Sequence, residues 1–242
     1  MHRRTKLLII FLTISSLALS QKLVNHNLYF RKGWTFSANI GPTTTFGDVK
    51  ENPIFPVSQP KNEWRYGGGV QLIRDFSPVF NIKGQIFYAP VAGIRERAND
   101  YFIAELVELN LCFSVNLSNA IRPYHKDQKF FISIFFGNGL AYYNSRLYNL
   151  TTNEIISQRG YGQGNGLWGR IIEGILLAGI EVDYAINPSF GIIFQSANRW
   201  MNSDSFDSVE SGFPYDFYNI TTIGITYKLK PTFYYPLIMK KY

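Results

Sequence analysis

Cysteine, histidine and long apolar runs are scarce in this chain of 242 residues. The one cysteine, Cys112, cannot form an intramolecular disulfide, and no Cys/His spacing offers a metal site. Beyond the N-terminus no apolar run approaches twenty residues, which excludes a polytopic helical membrane protein. What the chain does contain is 46% hydrophobic and 17% aromatic residues. This content excludes intrinsic disorder and favours a β-rich protein with many half-buried faces.

The first twenty residues have the pattern of a secretory signal peptide. Three cations within residues 3–6 precede an apolar run at 7–19, which ends at the small residue Ser20. We therefore expect a cleaved signal peptide over 1–20 and one exported domain over 21–242. A retained signal anchor is the alternative, which the shortness of the apolar run disfavours.

The charge of the exported chain is modest and dispersed. Loss of residues 1–20 removes three of the 24 Lys and Arg residues and no acid, so 21 cations face 17 acids and the net charge is +4. The cations form no stripe along the sequence, so we expect no nucleic-acid partner.

Strict alternation of apolar and polar residues predicts β-strands. In 107–117 the odd-numbered residues are apolar and the even-numbered ones are polar or small, and the same period occurs at 34–40 and 80–88. Further candidate strands are 65–74, 130–142, 171–186, 190–200 and 217–229. The count is eight, and several of these segments are near the length that a tilted strand needs to cross a bilayer.

Connections between the predicted strands alternate in length. Four are long and rich in Gly, Pro, Asn and Ser, namely 41–64, 89–100, 143–169 and 201–216. The connections at 75–78 and 186–189 are tight, and the one at 118–129 is intermediate. Long loops at one rim and short turns at the other are the layout of outer-membrane barrels, in which the short turns are periplasmic. We therefore predict an all-β, eight-stranded, antiparallel, up-and-down transmembrane β-barrel.

The polar faces of the strands suit a crowded barrel interior. They carry mostly Thr, Ser, Asn, Gln and Gly with five charged residues, which are Lys83, Glu108, Glu181, Asp183 and Arg199. Eight strands enclose only enough space for side chains, so these charges are predicted to form a network that plugs the lumen. A general-diffusion pore is accordingly not expected. The alternative is a soluble lipocalin-like barrel, whose outer surface would carry more Lys and Glu.

Aromatic residues near the strand ends are predicted to form interfacial girdles. Cross-strand packing is their alternative role. The candidates are Trp34, Tyr66, Tyr88, Tyr101, Tyr142, Tyr143, Tyr184, Trp200, Tyr218 and Tyr227.

The last predicted strand carries a further pattern. Thr222, Gly224, Tyr227 and Leu229 match the polar, glycine, aromatic and apolar positions of a pattern resembling the C-terminal insertion signal read by the barrel assembly machinery. Such an edge strand can pair with the open edge of a partner. The tail at 230–242 departs from that pattern because the chain continues past the usual end.

Over residues 21–229 the chain resembles the OmpA-like eight-stranded outer-membrane barrels of Bacteroidetes. A narrower likeness is to the PorG-type barrels associated with type IX secretion and gliding. Within 199–209, Arg199, Asp204, Asp207 and Val209 match that family's tract, whereas the residues at 203, 205, 206 and 208 differ. The Gly-Gln-Gly segment at 162–164 and the glutamates Glu105 and Glu108 also resemble features of that family.

Residues suited to catalysis are scarce. The exported chain has only His26 and His125, and neither lies near the predicted long-loop rim. We therefore expect no enzymatic activity and no cofactor. Asp204, Asp207 and Glu210 offer oxygens for Ca²⁺, although a solvated acidic loop or pairing with Arg199 is the simpler interpretation.

Two functions remain open at this point. One is a non-enzymatic anchor or scaffold in the outer membrane of a Gram-negative bacterium, and the PorG-like resemblance implies a place beside the type IX secretion or gliding machinery. Its expected partners are outer-membrane lipid, the barrel assembly machinery, and periplasmic lipoprotein or ring components. The other is a surface receptor, adhesin or small-solute conduit that acts through the long loops.

Overall fold

The computed structural model describes residues 33–46, 63–121, 128–202, 206 and 216–229. Its strands are β1 (Trp34–Thr45), β2 (Arg65–Asp75), β3 (Phe80–Arg95), β4 (Asp100–Asn116), β5 (Phe130–Asn149), β6 (Ile155–Arg159), β7 (Ile171–Ala185), β8 (Phe190–Met201) and β9 (Asp216–Lys228). A short helix, α1 (Leu117–Ile121), follows β4. No helical segment in the described part of the chain has the length and hydrophobicity that crossing a bilayer requires.

Eight of the strands close into an antiparallel barrel. The neighbours run in the order β4, β3, β2, β1, β9, β8, β7 and β5, and the pairing of β4 with β5 closes the ring. β6 stands outside this ring. It pairs with β5 from Ser145 to Tyr148, beyond the segment of β5 that pairs with β7, which ends at Tyr143. The predicted fold class is confirmed: the chain is an all-β, eight-stranded, antiparallel closed barrel with the architecture of transmembrane β-barrels.

The pairing registers give the stagger of the barrel. Starting at Tyr227 on β9 and stepping from partner to partner around the ring leads back to β9 at Phe217, ten residues away. Eight strands with this stagger tilt by about 40° and leave an interior that side chains fill. The narrow bore therefore follows from the number of strands and their register.

The strand faces follow the alternation in the sequence. On β4, Leu109 and Leu111 point outward and are each 60% exposed, whereas Glu108 and Cys112 point into the barrel and are buried. On β1, Phe36 is 44% exposed, whereas its neighbour Ser37 is fully buried. Apolar side chains thus cover the outside of the barrel, as lipid contact requires.

Strands β3, β4 and β5 each extend seven residues beyond one end of the segment that the sequence pattern predicts. β3 and β4 include most of the predicted loop 89–100, so that only residues 96–99 connect them. Asn99 adopts a left-handed conformation in this turn, and Arg95 closes it through a hydrogen bond to Asp100 of 2.6 Å. β5 has 20 residues and, tilted as above, rises about 50 Å, twice the height of the apolar band of a bilayer.

The structure also differs from the predicted boundaries of the other loops and turns. β1 continues through Thr45 into the predicted loop 41–64, and β6 forms a hairpin with β5 inside the predicted loop 143–169. α1 occupies the start of the turn predicted at 118–129. Thr222, Gly224, Tyr227 and Leu229 all lie in or directly after β9, as the sequence predicts.

Several predictions fall outside the described residues. These are the signal peptide at 1–20, the tail at 230–242, and the side chains of His26, His125, Asp204, Asp207 and Glu210. Of the loop 201–216, the described residues are Met201, Asn202, Phe206 and Asp216.

Candidate functional site: the closed lumen

Two buried ion pairs cross the interior of the barrel. Lys83 on β3 donates to Glu181 on β7 at 2.6 Å, and Arg199 on β8 donates to Glu108 on β4 at 2.9 Å. In each pair the two strands are three places apart in the ring of eight. Lys83, Arg199 and Glu108 are fully buried, so each pair spans the lumen.

Neighbouring groups make further contacts with these charges. Asn110 donates to the same oxygen of Glu108 at 2.8 Å, and Arg199 donates a further bond to the carbonyl oxygen of Ala197 at 2.9 Å. The ammonium of Lys83 lies 4.7 Å from the centroid of the Phe135 ring. Buried charges persist only when paired and hydrogen-bonded in this way.

A chain of glutamines fills the space beside the first ion pair. Gln85 donates to Gln71 at 3.1 Å, and Gln71 donates across the lumen to Gln195 at 2.7 Å. The thiol of Cys112 contacts the side-chain oxygen of Gln85 at 3.6 Å. These groups are buried, so in the part of the chain that is described the middle of the lumen is a packed polar layer.

Asp183 has a different partner from the other predicted lumen charges. Its carboxylate lies 3.5 Å from the ammonium of Lys228 at the short-turn end of the barrel, and both side chains are partly exposed. The structure therefore brings together four of the five predicted charges as two pairs and places Asp183 in a third pair with Lys228. Sequence reasoning missed Lys228, although its position on the polar face of β9 is visible in the alternation.

Above the ionic layer the interior becomes apolar. The expectation of a polar interior is wrong for this part, because β3, β4 and β5 continue past the bilayer and pack against one another. The cluster consists of Ala89, Val91, Phe102, Ala104, Leu106, Ala141, Tyr143, Leu147, Ile175, Met201, Phe206, Tyr218 and Ile220. The prediction that Tyr143 and Tyr218 belong to the interfacial girdles is wrong, because both side chains are fully buried inside the barrel.

Phe206 caps this apolar layer. It comes from the loop between β8 and β9, yet its side chain is fully buried. Its ring centroid lies 5.1 Å from that of Tyr143, 5.6 Å from that of Tyr218 and 6.2 Å from that of Phe102. Its amide donates to the carboxylate of Asp216 at 2.9 Å. The long-loop mouth is therefore closed by a loop side chain that no sequence pattern indicated.

The predicted insertion signal lies at the seam between the first and last strands. Thr222 and Gly224 face the lumen, whereas Tyr227 and Leu229 face outward and are 38% and 45% exposed. A Cβ atom at Gly224 would overlap the carbonyl oxygen of Ala38 and the side chain of Asn39 on β1. The glycine therefore permits close pairing of the two terminal strands.

A loop wraps outside the barrel at the long-loop end of the apolar surface. The hydroxyl of the outward-facing Tyr142 donates to the carbonyl oxygen of Leu167, and Asn165 accepts a bond from the amide of Ile172 at 2.8 Å. These bonds hold a turn in which Leu167 is 73% exposed and Trp168 is 87% exposed. Trp168 adopts a left-handed conformation with φ of 55°, which strains a bulky residue.

Groups suited to catalysis are few in the part of the chain that is described. No three His, Cys, Asp or Glu side chains of the described residues come together as a metal site requires. That the protein is not an enzyme and takes no cofactor stays a prediction from the sequence.

No protein-family model matches the chain, and no curated protein is similar to it in sequence. Solved structures with a similar fold include Neisserial surface protein A, which is 8% identical over 83% of this chain and 99% of that one, with a TM-score of 0.44. The attachment invasion locus protein of Yersinia pestis is 9% identical over 83% and 100%, with a TM-score of 0.43. A major outer membrane protein of Thermus thermophilus is 12% identical over 81% and 99%, with a TM-score of 0.44.

Proposed function

We propose that the protein is an outer-membrane barrel that anchors or organises a cell-envelope assembly without catalysis or bulk transport. The observation that carries this proposal is the closed lumen. Two ion pairs, a glutamine layer and an apolar cap with Phe206 fill the barrel from side to side. A barrel filled in this way acts through its surfaces, and its rigid wall suits the role of an anchor.

Membrane residence is supported by the outer surface. Side chains such as Ile40, Leu111, Leu176 and Ile225 are each about 60% exposed, and together with their neighbours they cover the wall of the barrel with apolar groups. A water-soluble protein rarely exposes an apolar surface that encircles it. The exposed Trp168, which follows the Leu167 bonded by Tyr142, suits the boundary between hydrocarbon and water, where tryptophan is enriched.

The PorG-like resemblance supports the finer part of the proposal. It implies a place beside the type IX secretion or gliding machinery of Bacteroidetes, with periplasmic lipoprotein or ring components as partners. It rests on residues 162–164 and 199–209 together with Glu105 and Glu108. We further propose that Thr222, Gly224, Tyr227 and Leu229 act as the signal read by the barrel assembly machinery.

Membrane residence and partner choice need separate measurements. Cell fractionation and heat-modifiable migration on a gel test the first, and we expect a folded barrel in the outer-membrane fraction. Recovery of the processed protein as a stable water-soluble species would overturn the proposal.

Partner choice is tested by affinity purification of a tagged barrel from cross-linked membranes. We expect periplasmic lipoprotein or ring components, lost on deletion of residues 230–242 and retained when Ile155 and Ile156 are replaced by serine. The reverse pattern would reject the scaffold role and favour a surface function.

A surface receptor or adhesin is the second candidate, and the β5–β6 hairpin favours it. Ile155 and Ile156 are 51% and 55% exposed on β6, which pairs only with β5 among the described residues. An apolar strand with an open edge is suited to pairing with an extended peptide of a partner. The loss of partner binding in the Ile155→Ser, Ile156→Ser variant described above would support this candidate.

A further inference from the structure

A cluster of polar side chains lies on the outside of the barrel, within a surface that is otherwise mostly apolar. Ser196 and Asn198 on β8 and Asn219 and Thr221 on β9 all point outward. On both strands these residues lie between an aromatic side chain at the short-turn end and another at the long-loop end, so they lie at the depth of the bilayer. We name these four residues the outer polar patch.

Hydrogen bonds connect the four side chains. Ser196 and Thr221 share a bond of 2.8 Å, Thr221 donates to Asn219 at 2.8 Å, and Asn219 donates to Asn198 at 2.7 Å. The Nδ2 group of Asn198, at the end of this chain, donates to no atom of the described residues. Asn198 is exposed on the outer face of β8, so its amide donor is accessible from outside the barrel.

Lipid is a poor neighbour for this patch. Acyl chains offer no acceptor to an amide, and an amide without an acceptor in hydrocarbon is unfavourable. The outward position opposite Asn198 on β7 is Ala178, whose small side chain leaves room beside Asn198 for another chain to approach, whereas Ile180 lies opposite Ser196. Small residues and hydrogen-bonding side chains are the features of protein contacts inside membranes.

We propose that the outer polar patch is the contact between two copies of this chain in the membrane. This inference rests on the membrane residence proposed above. The depth of the patch requires a partner that is itself embedded in lipid. The patch carries no formal charge, and its Ser, Thr and Asn side chains each donate and accept hydrogen bonds. A second copy related by a two-fold axis presents the same donors and acceptors in return, so the patch is complementary to itself.

The test is the association of labelled barrels in lipid vesicles, followed by energy transfer over a range of protein-to-lipid ratios. We expect the wild type to dimerise and the variant Asn198→Leu, Asn219→Leu to associate at least tenfold more weakly. Asn138→Leu is the matched control, because Asn138 is also an exposed asparagine on the outer surface but lies on β5, outside the patch. We expect this control to associate like the wild type.

Disulfide cross-linking gives a second measurement. The native Cys112 is buried inside the barrel, so it does not react in the background. We expect Asn198→Cys to form a covalent dimer on oxidation and Asn138→Cys to remain monomeric.

The outcomes separate this inference from the proposed function. A protein that does not insert into vesicles would overturn both. A protein that inserts and migrates as a heat-modifiable barrel, but stays monomeric at every ratio, would overturn the dimer alone. Dimerisation unaffected by the two leucine substitutions would also overturn it, and so would a monomer that binds lipopolysaccharide through the patch.

Discussion

Glu105 and Glu108 lie three positions apart on β4 and therefore face opposite sides of the barrel wall. The Glu105 side chain is 49% exposed and lies 3.9 Å from Arg170, whereas Glu108 is fully buried against Arg199. The two carboxylates are chemically identical, so the difference in their energetic roles comes from the environment. Exposed pairs contribute up to about 1 kcal/mol, whereas removing one member of a buried pair leaves the other charge uncompensated.

We predict that Glu108→Gln lowers the free energy of unfolding by about 3–5 kcal/mol because it leaves Arg199 buried without a counter-charge. Glu105→Gln is the matched control and should cost less than about 1 kcal/mol. Denaturant unfolding of the barrel in lipid vesicles measures both. The double variant Glu108→Leu, Arg199→Met should regain most of the loss. Equal effects of the two glutamine substitutions would contradict this account.

Individual residues also show which parts of the interior the sequence predicts. The alternation predicts the four paired lumen charges, because a charge on the polar face of a strand in a narrow barrel must lie inside the lumen. These charges are Lys83, Glu108, Glu181 and Arg199. Their partners were not identified, because pairing across the lumen depends on the stagger of the whole ring. Ser196 and Asn198 share a face with Phe194 and Trp200 in the sequence, so the outer polar patch was detectable from alternation.

At the level of structural elements, the loop between β8 and β9 can be tested by substitution of Phe206. Phe206 anchors this loop by packing against three aromatic rings inside the mouth. We predict that Phe206→Ala weakens the docking of the loop and raises the rate of its first cleavage by an added protease at least tenfold. Limited proteolysis of the folded barrel, with mass spectrometry of the fragments, measures the rate and the site.

Phe217→Ala is the control for this experiment. Phe217 has the same side chain but lies on the other face of β9, where it contacts Trp200 on the outside. Its replacement should leave cleavage within the loop unchanged. Equal cleavage of the two variants would show that Phe206 does not hold the loop.

The elements differ in how well the sequence predicts them. Strands within the bilayer depth were predicted because lipid on one side and packed polar groups on the other impose a strong contrast on alternate residues. The upper part of β3 lacks that contrast, since Val91 faces an apolar interior and Pro90 suggests a strand end. Pro90 is tolerated because the described pairing of β3 with β2 stops at Tyr88, opposite Gly68, so at position 90 no hydrogen bond to β2 is lost.

For the whole molecule, the filled lumen predicts low conductance. We expect the purified wild type in planar bilayers to show no steps of the size seen with open porins. Phe206→Ala should also show none, because both ion pairs and the glutamine layer still cross the lumen beneath the cap. Porin-sized steps from the wild type would contradict the closed interior and would favour the conduit among the alternative functions.

The ten-residue stagger of the ring also determines where the sequence tolerates insertions during evolution. A closed ring has no free edge that could absorb a slip, so a single inserted residue within β8 would turn Arg199 toward acyl chains and Trp200 toward the interior. Insertions in the strand-connecting loops carry no such penalty. Divergence among descendants of this chain should therefore accumulate as length variation in the loops at one rim, while the spacing within the wall stays fixed.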